Sequence, residues 1–307
     1  MLRPLLPIAL APLLASLVCT GCGTGAGVGS AQVFTQAEDT IPGGLQAGDG
    51  PENIQDGWDV RYTRFLVTMG GARATRSDTG EQLRDDAVYV LDLLRAPAQG
   101  YVIASFDDVA AVRWDRFGFD LPNASAKAKA LAPTTESDRA FLVERGDSIY
   151  FEGAIESDAG QSCPPGKACR PASIITFRWG FPAGTSFDDC GTSDGNAGFA
   201  VPSGSSVQIK PTLHGDHWFF SNFTAGVELT ARRAQYLADA DLDGDGETTI
   251  DELKGTPAAD VFAVPDYNLA GALGGPIETA YDYVLAEIRT MGHFQGDGDC
   301  PTRSVLK

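Results

Sequence analysis

Positive charge is scarce in this chain. Its 307 residues carry 23 Lys and Arg against 41 Asp and Glu, a formal net charge of −18. That balance argues against a nucleic-acid partner, because phosphates are held by cationic surface that displaces their counterions. Long hydrophobic runs are missing as well. Outside the N-terminal stretch Pro4–Val18 nothing approaches the roughly eighteen apolar residues of a spanning helix, so no transmembrane segment is expected in the mature protein. There is no CxxC spacing, which disfavours a thiolate zinc site. The absence of a P-loop, a dinucleotide fingerprint and an HExxH pair removes the commonest nucleotide and zinc-hydrolase readings. Histidine is down to three copies, all in two short segments.

What is present begins with an export signal. Arg3, the apolar run Pro4–Val18 and the small residues before Cys22 read as a signal peptide over residues 1–21. Val18-Cys19-Thr20-Gly21-Cys22 resembles a bacterial lipobox, with Cys22 fitting the lipidated position better than Cys19, which follows bulky Val18. The resemblance implies an exported lipoprotein whose acyl chains contribute about 0.8 kcal/mol per buried methylene. Gly23 after the anchor implies, by the same analogy, sorting to the bacterial outer membrane. An ordinary cleaved signal and a soluble secreted protein is the alternative. Residues 22–57, rich in Gly and small residues, are expected to form a tether of about 35 residues reaching ~30 Å as a random coil.

Besides Cys19 and Cys22 the chain has Cys163, Cys169, Cys190 and Cys300. Four cysteines in an exported protein suggest two disulfides with three possible connectivities. Cys163 and Cys169 bracket the short PPGKA loop and are expected to pair, leaving Cys190 to tie the body to Cys300.

Residues 58–224 carry strand-like segments: VRYTRFLVTM, AVYVLDLL, YVIASF, VRWDRFGFDL, SIYFEGAIES, SIITFRWGF and SSVQIKPTL. Seven such segments without regular intervening helices predict an antiparallel sandwich-like body, interrupted by one helix over 136–145 that Gly146 ends. Residues 225–307 read as a helical lobe, giving a β-rich α+β fold overall. Its last helix is expected over 276–291, from the apolar stripe Ile277, Tyr281, Val284, Ile288 and Met291.

Within that lobe, Asp241–Glu252 (DLDGDGETTIDE) resembles an EF-hand loop. Asp241, Asp243 and Asp245 fall at positions 1, 3 and 5, and Gly246 supplies the sharp reversal at position 6. Glu247 would give its carbonyl, Thr249 would act directly or through water, and Glu252 would close the shell with two oxygens. An entering helix is expected from Val227 through Ala238. The exiting helix, starting at Ile250, should stop after about one turn at Gly255. Thr248 at position 8 departs from the aliphatic residue that normally pairs with a second loop, and no second loop exists. A structural Ca²⁺ site of weak affinity, on the order of 10⁻⁴ to 10⁻³ M, is therefore expected.

His214 and His217 flank Gly215-Asp216 in LHGDHWFF, and His293 lies in MGHFQGDGDC. If His293 folds back beside the other two, three imidazoles could hold copper or zinc, with Asp216 or Met291 as a fourth donor. The alternative is that His214 and His217 only orient the turn and His293 packs beside the helix end. The general plan resembles, in layout alone, the periplasmic copper-binding lipoproteins associated with methanobactin uptake. Gly191-Thr192-Ser193-Asp194-Gly195 matches the text of a nucleophile elbow, but FDDC before it and GNAGFAVPSG after it are neither the required strand nor the helix. The expectation from sequence is thus a calcium-binding, lipid-anchored envelope protein, with a transition-metal protein or metalloenzyme as the alternative.

Overall fold

The structure, a computed structural model, describes residues 27–223, 231–263 and 266–305. Cys19 and Cys22 of the lipobox-like stretch, the expected signal peptide over 1–21 and the stretch containing Val227 lie outside these residues.

All seven strand-like segments form strands. The longest, Asp59–Thr75, has 17 residues and sits mid-sheet, pairing antiparallel with Ile149–Glu156 along its first half and with Arg116–Leu121 along its second. Around it a ten-stranded sheet runs in the order Glu247–Thr248, Ile174–Phe181, Ile149–Glu156, Asp59–Thr75, Arg116–Leu121, Thr185–Phe187 and Thr302–Val305, with Gln82–Arg84, Val88–Asp92 and Lys129–Ala130 attached off this path. The helix Glu136–Arg145 forms as expected, with a Thr135–Asp138 capping box at its start and Gly146 in the left-handed region at its end. The architecture is β-rich α+β, and the described helices are short and mainly C-terminal.

Several expectations are corrected. Residues 28–37, assigned to the tether, form a strand, Val28–Ala37, on which Ala31, Val33 and Thr35 alternate inward at 0–1% exposure. It is central to a second, five-stranded sheet. It pairs parallel with Ser206–Ile209 and Pro211–Leu213 and antiparallel with Tyr101–Ala110, so the sheets are mixed and the body is not purely antiparallel. At Gly29 a Cβ would stand 2.4 Å from Pro202 O, so the small residue that suggested a linker lets neighbouring backbone approach closely.

The C-terminal part holds most of the short helices but also contributes strands. One hydrophobic core contains Val33, Phe151, Trp218, Tyr283 and Phe294 together, and the strands Glu247–Thr248, Gly292–Phe294 and Thr302–Val305 complete the two sheets. The helix entering the acidic loop is only Gln235–Asp239. The last helix is Ala280–Ile288, capped by Thr279 and Asp282. It starts late because Pro257 and Thr279 bridge as extended backbone and Ala258 N donates to Glu278 O, which uses the preceding residues for pairing.

Both expected disulfides are present, Cys163–Cys169 and Cys190–Cys300, as befits an oxidising compartment. No described helix is long and apolar enough to cross a membrane.

Candidate metal centres

The histidine site is built by a strand end, a turn and a strand added from far along the chain. Pro211–Leu213 ends at His214, whose N–H donates to Met291 O at 3.0 Å. Gly215 is pinned by Thr40 Oγ1, which accepts from its N–H at 3.1 Å, and by the Tyr62 hydroxyl, which donates to its carbonyl. A Cβ at Gly215 would stand 2.6 Å from Ile41 Cγ1, so only glycine lets the turn approach this closely. The single 3₁₀ turn His217–Phe219 follows. Trp218, fully buried, stacks on Phe151 with centroids 4.5 Å apart and planes 10° apart, which fixes His217 against the large sheet.

Gly292–Phe294 pairs antiparallel with Pro211–Leu213, setting His293 opposite Thr212 and beside His214. The three rings then pack around one another, with centroids 4.4 Å apart for His214–His293, 5.0 Å for His217–His293 and 5.6 Å for His214–His217. His217 Nε2 and His293 Nε2 are 3.1 Å apart. His214, Asp216 and His217 present donor atoms within 4.8 Å of one another. Asp216 is 1% exposed; its Oδ2 takes Nε of Arg232 at 2.8 Å, while its Oδ1 is buried without a partner. His293 Nδ1 and Glu287 Oε1 are likewise buried and unpartnered. His214, Asp216, His217, Arg232, Glu287 and His293 line one cavity of about 690 Å³, whose walls include Phe220, Thr290 and Cys300.

The surroundings hold two of the imidazoles neutral. Burial, reinforced by the neighbouring imidazoles, pushes His217 well below the ordinary histidine range, and burial with His214 pushes His293 down to about 3. Both rings are thus neutral near pH 7 and offer a lone pair. Burial raises Asp216 despite Arg232, and raises Glu287 far above the usual carboxylate range.

Of the residues involved, sequence reasoning named the three histidines and Asp216. It missed Glu287, Thr290 and Arg232. Glu287 was signalled by its spacing, since it lies three and four residues after Val284 and Tyr283 on the buried face of its helix. Met291 is fully buried.

The acidic loop is a second candidate centre. Asp241, Asp243 and Glu252 bring carboxylate oxygens within 4.8 Å of one another. Gly246, at φ 88°, makes the reversal that its position requires. Asp241 accepts from Gly244 N and Gly246 N, and Glu252 Oε1 accepts from Leu242 N and Asp243 N. Asp245 stays outside the cluster, exposed, and accepts from Glu247 N. The side chain of Glu247 lies 4.0 Å from Arg178. Thr249 caps the helix Ile250–Gly255 reciprocally with Glu252, which places that glutamate beside the aspartates.

Where a paired loop would contribute a partner strand, this loop uses the sheet. Glu247–Thr248 adds parallel to the edge of Ile174–Phe181, Thr176 N donates to Gly246 O, and Trp179 Nε1 donates to Thr248 O at 2.6 Å. Thr248, buried, donates its hydroxyl to Leu237 O. Arg170 contacts Asp241 Oδ2 at 2.8 Å from the Cys163–Cys169 loop side.

Compared with protein-family models, curated proteins and solved structures, the chain matches none.

Proposed function

We propose that this is an exported metal-binding protein whose functional centre holds a first-row transition ion, copper or zinc, through His214, His217 and His293 with Asp216 beside them. One observation carries the reading. Two neutral imidazoles, His217 buried and His293 half-buried, aim Nε2 atoms at each other at 3.1 Å in a cavity that also contains unpartnered Asp216 Oδ1. Buried polar atoms normally find partners. Two nitrogens bound to one tetrahedral ion at 2.0–2.1 Å would stand ~3.3 Å apart, close to this spacing. Imidazole suits copper and zinc alike, and Asp216 adds an oxygen donor that favours zinc over a cuprous ion.

Elemental analysis of protein purified without added metal tests the reading. About one equivalent of copper or zinc is expected, lost in His217→Ala and His293→Ala. Calcium alone, with no transition metal taken up on titration, would overturn it.

A separate observation favours Ca²⁺ as a structural ion in the same chain. The Asp241–Glu252 segment resembles an EF-hand loop in sequence, three of its carboxylates, those of Asp241, Asp243 and Glu252, lie together without Asp245, and it is anchored on a sheet edge instead of a second hand. Arg170 at Asp241 partly neutralises the cluster and fits the weak end of the affinity range. The export reading adds a lipid anchor at Cys22. Mass spectrometry of the mature N-terminus decides between acylation and simple cleavage, and a Cys22→Ser variant should leave the membrane fraction.

A further inference from the structure

Resting on the transition-metal reading, we infer that Thr290, held by Glu287, sets the tautomer of His217 and so selects Nε2 as its metal-facing atom. Thr290 Oγ1 lies 2.7 Å from His217 Nδ1. Its other two neighbours both belong to Glu287: the backbone carbonyl at 2.8 Å and the carboxyl Oε2 at 3.5 Å. A carbonyl oxygen can only accept, so the hydroxyl proton is committed to Glu287. Toward His217 the hydroxyl oxygen must then accept, which requires the proton on Nδ1 and leaves a bare lone pair on Nε2.

The consequence reaches His293. With His217 Nε2 bare, the 3.1 Å contact in the metal-free protein needs the proton on His293 Nε2. That leaves His293 Nδ1 without a proton in the metal-free state; the atom is buried and has no hydrogen-bond partner. A metal ion taken by both Nε2 atoms would displace the His293 proton, which moves to Nδ1, so the ring stays neutral and no net charge changes. His217 keeps its tautomer on loading and His293 switches. Thr290 is therefore a positioning residue, acting on the metal through His217, and outer partners of this kind typically change affinity by 10–100-fold.

The test uses the full mature chain with ¹⁵N-labelled histidine, and wild type, Thr290→Val and Thr290→Ser. Long-range ¹H–¹⁵N spectra of metal-free wild type should show His217 protonated at Nδ1 and His293 at Nε2. Valine should abolish the His217 preference and weaken zinc binding about 10–100-fold in competition with a chromophoric chelator. Serine should restore both. A His217 protonated at Nε2 in wild type, or a tautomer and zinc affinity unmoved by valine, would overturn the inference. A wild type that binds no transition metal would sink the metal reading instead, and the metal-free spectra would still decide the role of Thr290.

Discussion

His217 and His293 stand 76 positions apart in the chain and turn their Nε2 atoms toward each other at 3.1 Å. Their closeness follows from one short strand pairing, Pro211–Leu213 with Gly292–Phe294, and from Trp218 locking the next residue into the aromatic core. Both rings are neutral because burial disfavours their charged forms.

That neutrality sets a pH dependence for the metal-free protein. The His293 imidazole titrates at about 3 in the fold, against ~6.5 in an unfolded chain. Between these values the unfolded state binds a proton that the fold refuses, so stability is lost as pH falls through the window. His217 acts in the same direction. In chelator, wild type should gain on His293→Gln by on the order of 1 kcal/mol per pH unit between about pH 3 and 6.5, with no further gain above. Denaturant unfolding at a series of pH values reads the difference, and parallel profiles would refute it.

Calcium should stabilise by mass action. With a dissociation constant of 10⁻⁴ to 10⁻³ M, roughly 10 mM Ca²⁺ adds about 1.4 to 2.7 kcal/mol, a rise of several degrees in Tm. Glu252→Gln keeps the helix cap and should lose the rise; Asp241→Ala should lose it and also strand Arg170. Equal melting curves in Ca²⁺ and in EGTA for wild type would remove the calcium site.

The Cys190–Cys300 bridge closes a sequence separation of 110, and Cys300 lines the histidine cavity. Replacing both cysteines by serine should lower stability by about 2–4 kcal/mol. Transition-metal affinity should fall with it, because the segment after His293 loses its tie to the body, whereas the calcium-dependent shift should survive. Isothermal titration with zinc, alongside melting in Ca²⁺, separates the two effects.

Gly215 gives a packing test. Gly215→Ala drives a methyl to 2.6 Å from Ile41 Cγ1 and should cost about 1–3 kcal/mol. Ile41→Ala opens that space, so the double variant should be destabilised by less than the two single losses added together. Additive losses in equilibrium unfolding would show that the two side chains do not compete.

Much of this was readable in the chain itself. The seven strands announced themselves by apolar runs of the right length, the Glu136–Arg145 helix by its Gly146 stop, and the acidic loop by donors that are contiguous in sequence. Contiguous signals survive folding because the physics that fixes them, pleat alternation and capping, acts within a few residues.

Tertiary structure alone decided the rest. Val28–Ala37 carries too little bulk to read as a strand, and it became one because the neighbouring strands fill the space around Ala31 and Val33. Thr248 gave no hint of a partner, and a sheet edge supplied one. The histidines were visible as residue types, but their convergence, and the burial that places Glu287 and Thr290 behind them, depends on pairing residues about 80 positions apart. Such pairings are chosen by the packing of the whole core, which no local stretch of sequence contains.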